Sequence, residues 1–183
     1  QEHAFDYDKW TSTEEAASLY FLMKTGFNGI WQVNKNTDGR FGTPSGLLNQ
    51  KDKVYDKDNV MEWHTALQGC TLMAGDFAQT LGKVESGAYV FLDPPYRGSF
   101  TQYGVDFDDK MQNRVIDYLN KSASKGALTL MSNRDVGDGF FEDRQGDNKL
   151  VYFDVTYTAG RRKKNEDGIY EAKKAREILM IGN

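Results

Sequence analysis

The chain has 183 residues, enough for one ordinary domain with a buried core. An apolar fraction of 39% and a charged fraction of 27% exclude a disordered tail, and no apolar run reaches the roughly 18 residues that a membrane span needs. The net charge of −4 argues against a partner held by phosphate contacts alone.

The start, QEHAFDYDKW, is acidic, lacks Met and lacks the basic-then-apolar layout of a signal peptide, so a processed or truncated end in a cytoplasmic protein is expected. Cys70 is the only cysteine, which excludes an internal disulfide and fits a reducing compartment. Ser12-Thr13-Glu14-Glu15 has the spacing of a capping box, and Ala16, Leu19, Tyr20 and Met23 follow at helical spacing. This helix should stop near Gly26. Basic residues then predominate, with Lys24, Lys35, Arg40, Lys51 and Lys53 against Asp38 and Asp52. Residues 27–50 read as irregular chain with a hairpin turn at Asp38-Gly39, and residues 60–67 as a helix.

Beyond this point strand and helix alternate. Residues 70–74 and 88–92 are short apolar runs of the kind that form buried parallel strands, and 127–131, 150–157 and 178–181 read as further buried strands. A helix is predicted from Asp109, with Met111, Val115, Ile116 and Leu119 on one stripe. This order predicts an α/β sheet covered on both faces, with ligands at the carboxyl ends of its strands. Two polar motifs are expected there: Asp93 after the 88–92 strand, and Ser132-Asn133 after the 127–131 strand.

Asp93-Pro94-Pro95-Tyr96 is the most informative stretch. An exocyclic amine on an aromatic base is a poor nucleophile, because its lone pair is delocalised into the ring. Acceptors aimed at its two N–H bonds localise that pair toward an electrophile. Asp93 offers a carboxylate, and Pro94 offers a backbone carbonyl whose place the rigid Pro-Pro pair fixes. Tyr96 offers a flat face for an extruded base. A plain post-strand turn capped by an Asp and closed by a packed aromatic explains the same four residues structurally.

The motifs together resemble the Dam-like, D12 class of DNA adenine-N6 methyltransferases. After Asp-Pro-Pro-Tyr that family has an F-T-x-Y segment, and Phe100-Thr101-Gln102-Tyr103 follows here. Leu130-Met131-Ser132-Asn133 matches its Ser-Asn strand, and Arg161-Arg162-Lys163-Lys164 with Glu177-Ile178-Leu179 matches its closing basic segment and strand. Upstream, Phe27-Asn28-Gly29-Ile30-Trp31-Gln32 matches an aromatic-Asn-Gly signature, followed by Gly39-Arg40-Phe41 and the small-residue stretch 42–46. The resemblance implies a Rossmann-like S-adenosylmethionine-dependent methyltransferase fold of α/β class, with an incomplete sheet. It implies a target-recognition insertion at residues 1–68 and a catalytic region at 69–183.

The resemblance gives Asp93, Pro94, Pro95 and Tyr96 the catalytic roles and makes Asp93, Asp76 and Phe77 cofactor-side residues for S-adenosylmethionine. It implies DNA contacts from Phe27, Asn28, Gln32, Arg40, Tyr103, Arg161 and Arg162, with Phe27 filling the gap left by a flipped base. Gln32 stands where the family usually has an Arg that reads a base of GATC, so a different or relaxed site is expected. The Phe-x-Gly-x-Gly cofactor turn with which members begin does not precede Phe27, so the chain is expected to be the C-terminal two-thirds of such an enzyme.

The expected partners are double-stranded DNA and, through an exposed edge at residues 88–92, either a second copy or a missing N-terminal piece. A bacterial or phage-encoded restriction-modification enzyme is implied, using no metal. His3 and His64 with one cysteine complete no metal set or nucleophile triad. A remnant that binds DNA or a partner without turnover is the alternative.

Overall fold

The computed structural model describes residues 10–34, 40–46, 54–98, 107–157, 163–164, 170–171 and 173–183. The described residues up to Met73 form one compact unit, and those from Ala74 onward form a second.

In the first unit, helix α1 spans Ser12–Thr25. Its capping box sits one residue earlier than the S-x-x-E spacing indicates: Thr11 is the cap, with Glu14 as its reciprocal partner. Serine at the next position also reads as a cap, and only the backbone decides between them. The helix ends at Gly26, as expected. Two short strands, β1 (Val33–Asn34) and β2 (Arg40–Phe41), pair antiparallel on either side of the predicted Asp38-Gly39 turn, which itself lies outside the described residues. Helix α2 spans Lys57–Leu67, and the Asp56 carboxylate caps it by accepting from the Asn59 N–H at 3.1 Å. None of the unit's described residues is fully buried.

The chain at the boundary between the two units differs from its prediction. Residues 70–74 are irregular, exposed chain rather than a strand, with Leu72 74% exposed. Five residues of mixed size, with no paired neighbour, do not form a strand on apolarity alone. A 3-10 helix at Phe77–Lys83 follows. The remaining elements are β3 (Tyr89–Leu92), α3 (Asp109–Ser124), β4 (Leu128–Asp135), β5 (Lys149–Tyr157), β6 (Lys163–Lys164), β7 (Tyr170–Glu171) and β8 (Lys173–Gly182).

Four of these make an open sheet in the order β3-β4-β8-β5. Only β3 and β4 run parallel, whereas β8 inserts antiparallel between β4 and β5. The parallel pairing expected of residues 88–92 is found between β3 and β4, whereas the directions of β5 and β8 were not read, because apolar runs announce strands but carry no direction. The β6–β7 pair is a separate two-stranded ribbon.

Helix α3 covers one face of the sheet. Asp108 caps it, and Val115, Ile116 and Leu119 pack against Met131, Ile178 and Met180. Each fully buried aliphatic side chain of this kind contributes about 1.5–3 kcal/mol. The chain leaves α3 through Gly126, at φ 86°, where a Cβ would stand 2.6 Å from the Ser86 Oγ. The other face is less protected. On β3, Val90 and Leu92 point toward the α3 side, while Tyr89 and Phe91 are 81% and 63% exposed. As expected, the strand lies at the sheet's edge among the described strands, but one of its faces is open where both were expected to be covered.

Candidate active site

Asp93 is the first residue beyond β3, at its carboxyl end. Its Oδ1 accepts a hydrogen bond from the Ser132 hydroxyl at 2.7 Å. Ser132 was expected just past its strand, but β4 runs three residues further and holds Ser132 and Asn133 rigidly within it. Alternation then sends the two side chains to opposite faces. Ser132 reaches Asp93, while Asn133 is fully buried on the α3 side.

From there Asn133 grips the loop from beneath. Its Oδ1 accepts the Arg97 backbone N–H at 2.9 Å, and its amide donates to Gln112 Oε1 at 2.9 Å. Gln112 in turn donates from Nε2 to the Pro95 carbonyl at 2.7 Å. Gln112 belongs to no motif. Its signal was positional, since it lies one turn before Val115 and Ile116 on the buried stripe of α3, where a polar residue needs a partner.

Tyr96 is half-buried, and its hydroxyl interacts with Ser132 and Asp93. Burial is the main cause that pushes its pKa above the usual phenol value, and the charges of Asp93 and Glu177 add to it. Tyr96 therefore stays a neutral phenol. Glu177, on β8 opposite Arg134, accepts from the Tyr157 hydroxyl at 2.5 Å. Burial, reinforced by Glu177, pushes the Tyr157 hydroxyl up to about 12. Asp93, Tyr96, Ser132 and Glu177 thus gather at one end of the sheet, which carries negative charge.

Arg97 closes the loop. Its guanidinium bonds Asp109 at 2.8 and 3.0 Å and Asp138 at 2.9 Å twice, and it lies 3.8 Å above the Phe140 ring centroid. These bonds hold both carboxyls below the usual carboxylate range. Groups with a depressed folded pKa add stability above their unfolded value of about 3.9 and lose it as pH falls through the folded value. Arg97→Met should lower the denaturation midpoint at neutral pH, and the gap from wild type should close in acid below pH ~4. Urea titrations across pH check this, and a gap that persists unchanged in acid would count against the clamp.

Asp76 and Phe77, expected on the cofactor side, have structural partners. Asp76 caps the 3-10 helix through the Ala78 N–H and accepts from Arg114 at 2.8 and 2.9 Å, and these bonds lower its pKa, Arg114 most. Phe77 packs edge-on against Tyr118 at 5.7 Å, with Arg114 over its ring. Asp76 is thus tied to α3 by hydrogen bonds and Phe77 by ring contacts.

In the first unit, Phe27, Asn28 and Gln32 lie on one braced segment. Phe27–Gly29 forms a 3-10 turn in which Asn28 adopts φ 54°, a left-handed conformation that Asn tolerates better than most residues. Residues 42–46 run alongside: Phe27 N–H donates to Pro44 O at 2.9 Å, Gly42 N–H to Gln32 O at 2.7 Å, and Thr43 Oγ1 to Ile30 O at 2.6 Å. A Cβ on Gly46 would come within 3.0 Å of the Gly26 carbonyl, so the small residues of this stretch permit backbone-to-backbone approach. Phe27 is 45% exposed at the turn. The Arg40 backbone lies in β2. Tyr103, Arg161 and Arg162, with the rest of the Phe100–Tyr103 motif, lie outside the described residues.

Among the described residues no cluster of three or more His, Cys, Asp or Glu is placed to hold a metal ion, and no helix is long and apolar enough to cross a membrane.

Known proteins point the same way as the motifs. A Type II methyltransferase, M.MjaIII of Methanocaldococcus jannaschii, is 32% identical over 166 residues, covering 86% of this chain and 56% of its own length. The Type II methyltransferase M1.LlaDCHI of Lactococcus lactis subsp. cremoris is 26% identical, with 90% and 59% covered. The Retron Ec67 DNA adenine methylase of Escherichia coli is 29% identical, with 68% and 43% covered. The chain thus spans a little over half the length of the first two relatives. The family model for D12 class N6 adenine-specific DNA methyltransferases matches residues 1–139, which contain both the Phe27 signature and the Asp93 loop. The chain belongs to the D12 class N6 adenine-specific DNA methyltransferase family.

Proposed function

We propose that this chain carries the reacting loop for methylation of adenine N6 in double-stranded DNA, with S-adenosylmethionine as donor. The observation that supports this most is the Asp93 carboxylate, held by Ser132 on a loop whose backbone is tied on both sides of Tyr96. The residues fit the charge of the reacting end of the donor, since the exposed Asp93 carboxylate stands at the end of β3 with a charge opposite to that of a sulfonium. When bound, S-adenosylmethionine would supply a methyl group activated by its sulfonium, the sulfur keeping the bond pair and the proton of N6 passing to solvent.

The protein contributes position and electrostatics. Asp93 accepts from one N–H of the amine and meets the positive charge that develops on nitrogen. The Pro94 carbonyl accepts from the other N–H. Tyr96, neutral and half-buried, stacks on the extruded base. Phe27 fills the vacated stack, Asn28 meets the orphaned base, and Gln32, Arg40, Tyr103, Arg161 and Arg162 contact DNA. The Type II names of two relatives favour a restriction-modification setting.

The test uses the chain completed by the N-terminal cofactor segment that the family carries: it is incubated with S-adenosylmethionine and duplex DNA, and nucleosides are resolved by mass spectrometry. N6-methyladenine is the expected product. Its absence, or methylation of cytosine instead, overturns the reading.

Site choice gives a second check. Gln pairs well with adenine and cannot make the guanidinium fork to guanine. Gln32→Arg should move preference toward guanine at one position by about 1–3 kcal/mol. Sequencing of methylated sites measures it, and identical profiles would show that Gln32 reads no base.

A further inference from the structure

We propose that Gln112 and Asn133 are positioning residues for methyl transfer, acting as a buried amide relay that aims the Asp93–Tyr96 loop; this rests on the function proposed above. Both side chains are completely buried, and together they make four hydrogen bonds with fixed roles.

The polarity of the relay follows from its ends. Two backbone N–H groups, of Arg97 and Arg134, point at one atom of the Asn133 amide, at 2.9 and 2.8 Å. Backbone N–H groups only donate, so that atom is the oxygen. The other Asn133 terminus is then NH₂ and must donate, which makes its Gln112 partner an oxygen, at 2.9 Å. The remaining Gln112 terminus is NH₂ and donates to the Pro95 carbonyl at 2.7 Å. No amide flip is tolerated anywhere along the chain without facing two donors or two acceptors in a dry site, at a cost larger than the bond itself.

The consequence falls on the loop. Pro95 is held at its carbonyl and Arg97 at its N–H, so the ties flank Tyr96 and lie within a few bonds of Pro94 and Asp93. Apolar side chains of the same shape would leave the Pro95 carbonyl and the Arg97 and Arg134 N–H groups without these partners, so the loop's backbone position and the amides depend on each other. Amides at these two positions add direction: they fix where the loop's carbonyls point.

Gln112→Glu tests this with a change of little more than one proton. The ionised carboxylate can still accept from Asn133, but its other oxygen faces the Pro95 carbonyl, acceptor against acceptor. Protonation restores a donor there, and burial raises the pKa at which this happens. Relative to wild type, kcat should fall on the order of 10–100-fold at alkaline pH and recover as pH is lowered, with KM for DNA and donor nearly unchanged. Amide exchange at Tyr96 and Arg97, read by NMR on the full chain, should quicken over the same pH range. Asn133→Asp is the second variant: its second oxygen can pair only with the Gln112 NH₂, which swings the amide away from Pro95 and lowers kcat in the same manner.

A kcat ratio near one at every pH, or loop exchange unchanged in both variants, overturns the proposal. If wild type makes no N6-methyladenine, the proposed function fails, and the exchange measurement still decides whether the relay sets the loop.

Discussion

Replacing Asp93 with alanine should abolish adenine methylation while DNA affinity stays within a few fold. Affinity for duplex DNA rests mostly on phosphate contacts, which carry neither the base chemistry nor its geometry. Asp93 touches no element of the core: its side chain is exposed and its hydrogen bond runs to Ser132 at the sheet's end. The variant should therefore fold, and lost turnover can be assigned to chemistry. Asp93→Asn refines the result, because it keeps the shape and one acceptor while removing the charge that meets the developing cation on N6. Its residual rate should lie between wild type and alanine. Single-turnover methyl transfer and a binding titration on each variant decide it, and retained turnover in Asp93→Ala would remove this carboxylate from the mechanism.

The position of the Asp93–Tyr96 loop was legible in the sequence because its signal is local. Asp, two prolines and an aromatic in direct succession need no knowledge of the sheet, and the 88–92 run placed them correctly at a strand's carboxyl end. Helix ends were legible to within about three residues, since caps are short-range hydrogen bonds: Thr11 caps α1 in place of Ser12, and α2 starts at Lys57 where residue 60 was expected. Strand direction was not legible. Residues 178–181 read as a buried strand, but their antiparallel insertion between β4 and β5 depends on pairing partners far away in the chain.

The supports of the loop were hidden for the same reason. Arg97 meets Asp109 and Asp138, and Gln112 meets Asn133 and Pro95, across separations of 12 to 41 residues. Each looks like ordinary surface polarity when taken alone. Only Gln112 left a trace, as a polar residue on an apolar stripe, and a prediction that asked what such a residue must bond would have found the relay. Residues 70–74 failed in the opposite sense: their composition fits a strand, but no neighbouring strand takes them up.

The seat of α3 carries the largest effect on stability. Leu119 is fully buried between α3 and the sheet, in the cluster that includes Met131, Ile178 and Met180. Leu119→Ala should lower unfolding free energy by about 2–5 kcal/mol, the lost transfer energy plus the cavity left behind. The neighbours limit collapse, because β4 and β8 are locked together by continuous pairing beneath it. The effect on methylation should differ from that of the relay variants. Gln112 is seven residues away on α3, roughly 10 Å at 1.5 Å per residue, and its bonds to Asn133 and Pro95 do not involve Leu119. While the variant remains folded, its kcat should stay near wild type at low temperature, then collapse at a temperature well below the wild-type limit. Thermal denaturation and a temperature series of single-turnover rates separate the cases. A low-temperature kcat already depressed as far as in Gln112→Glu would mean that helix packing and loop aim are one coupled property, and the amide relay would lose its separate role.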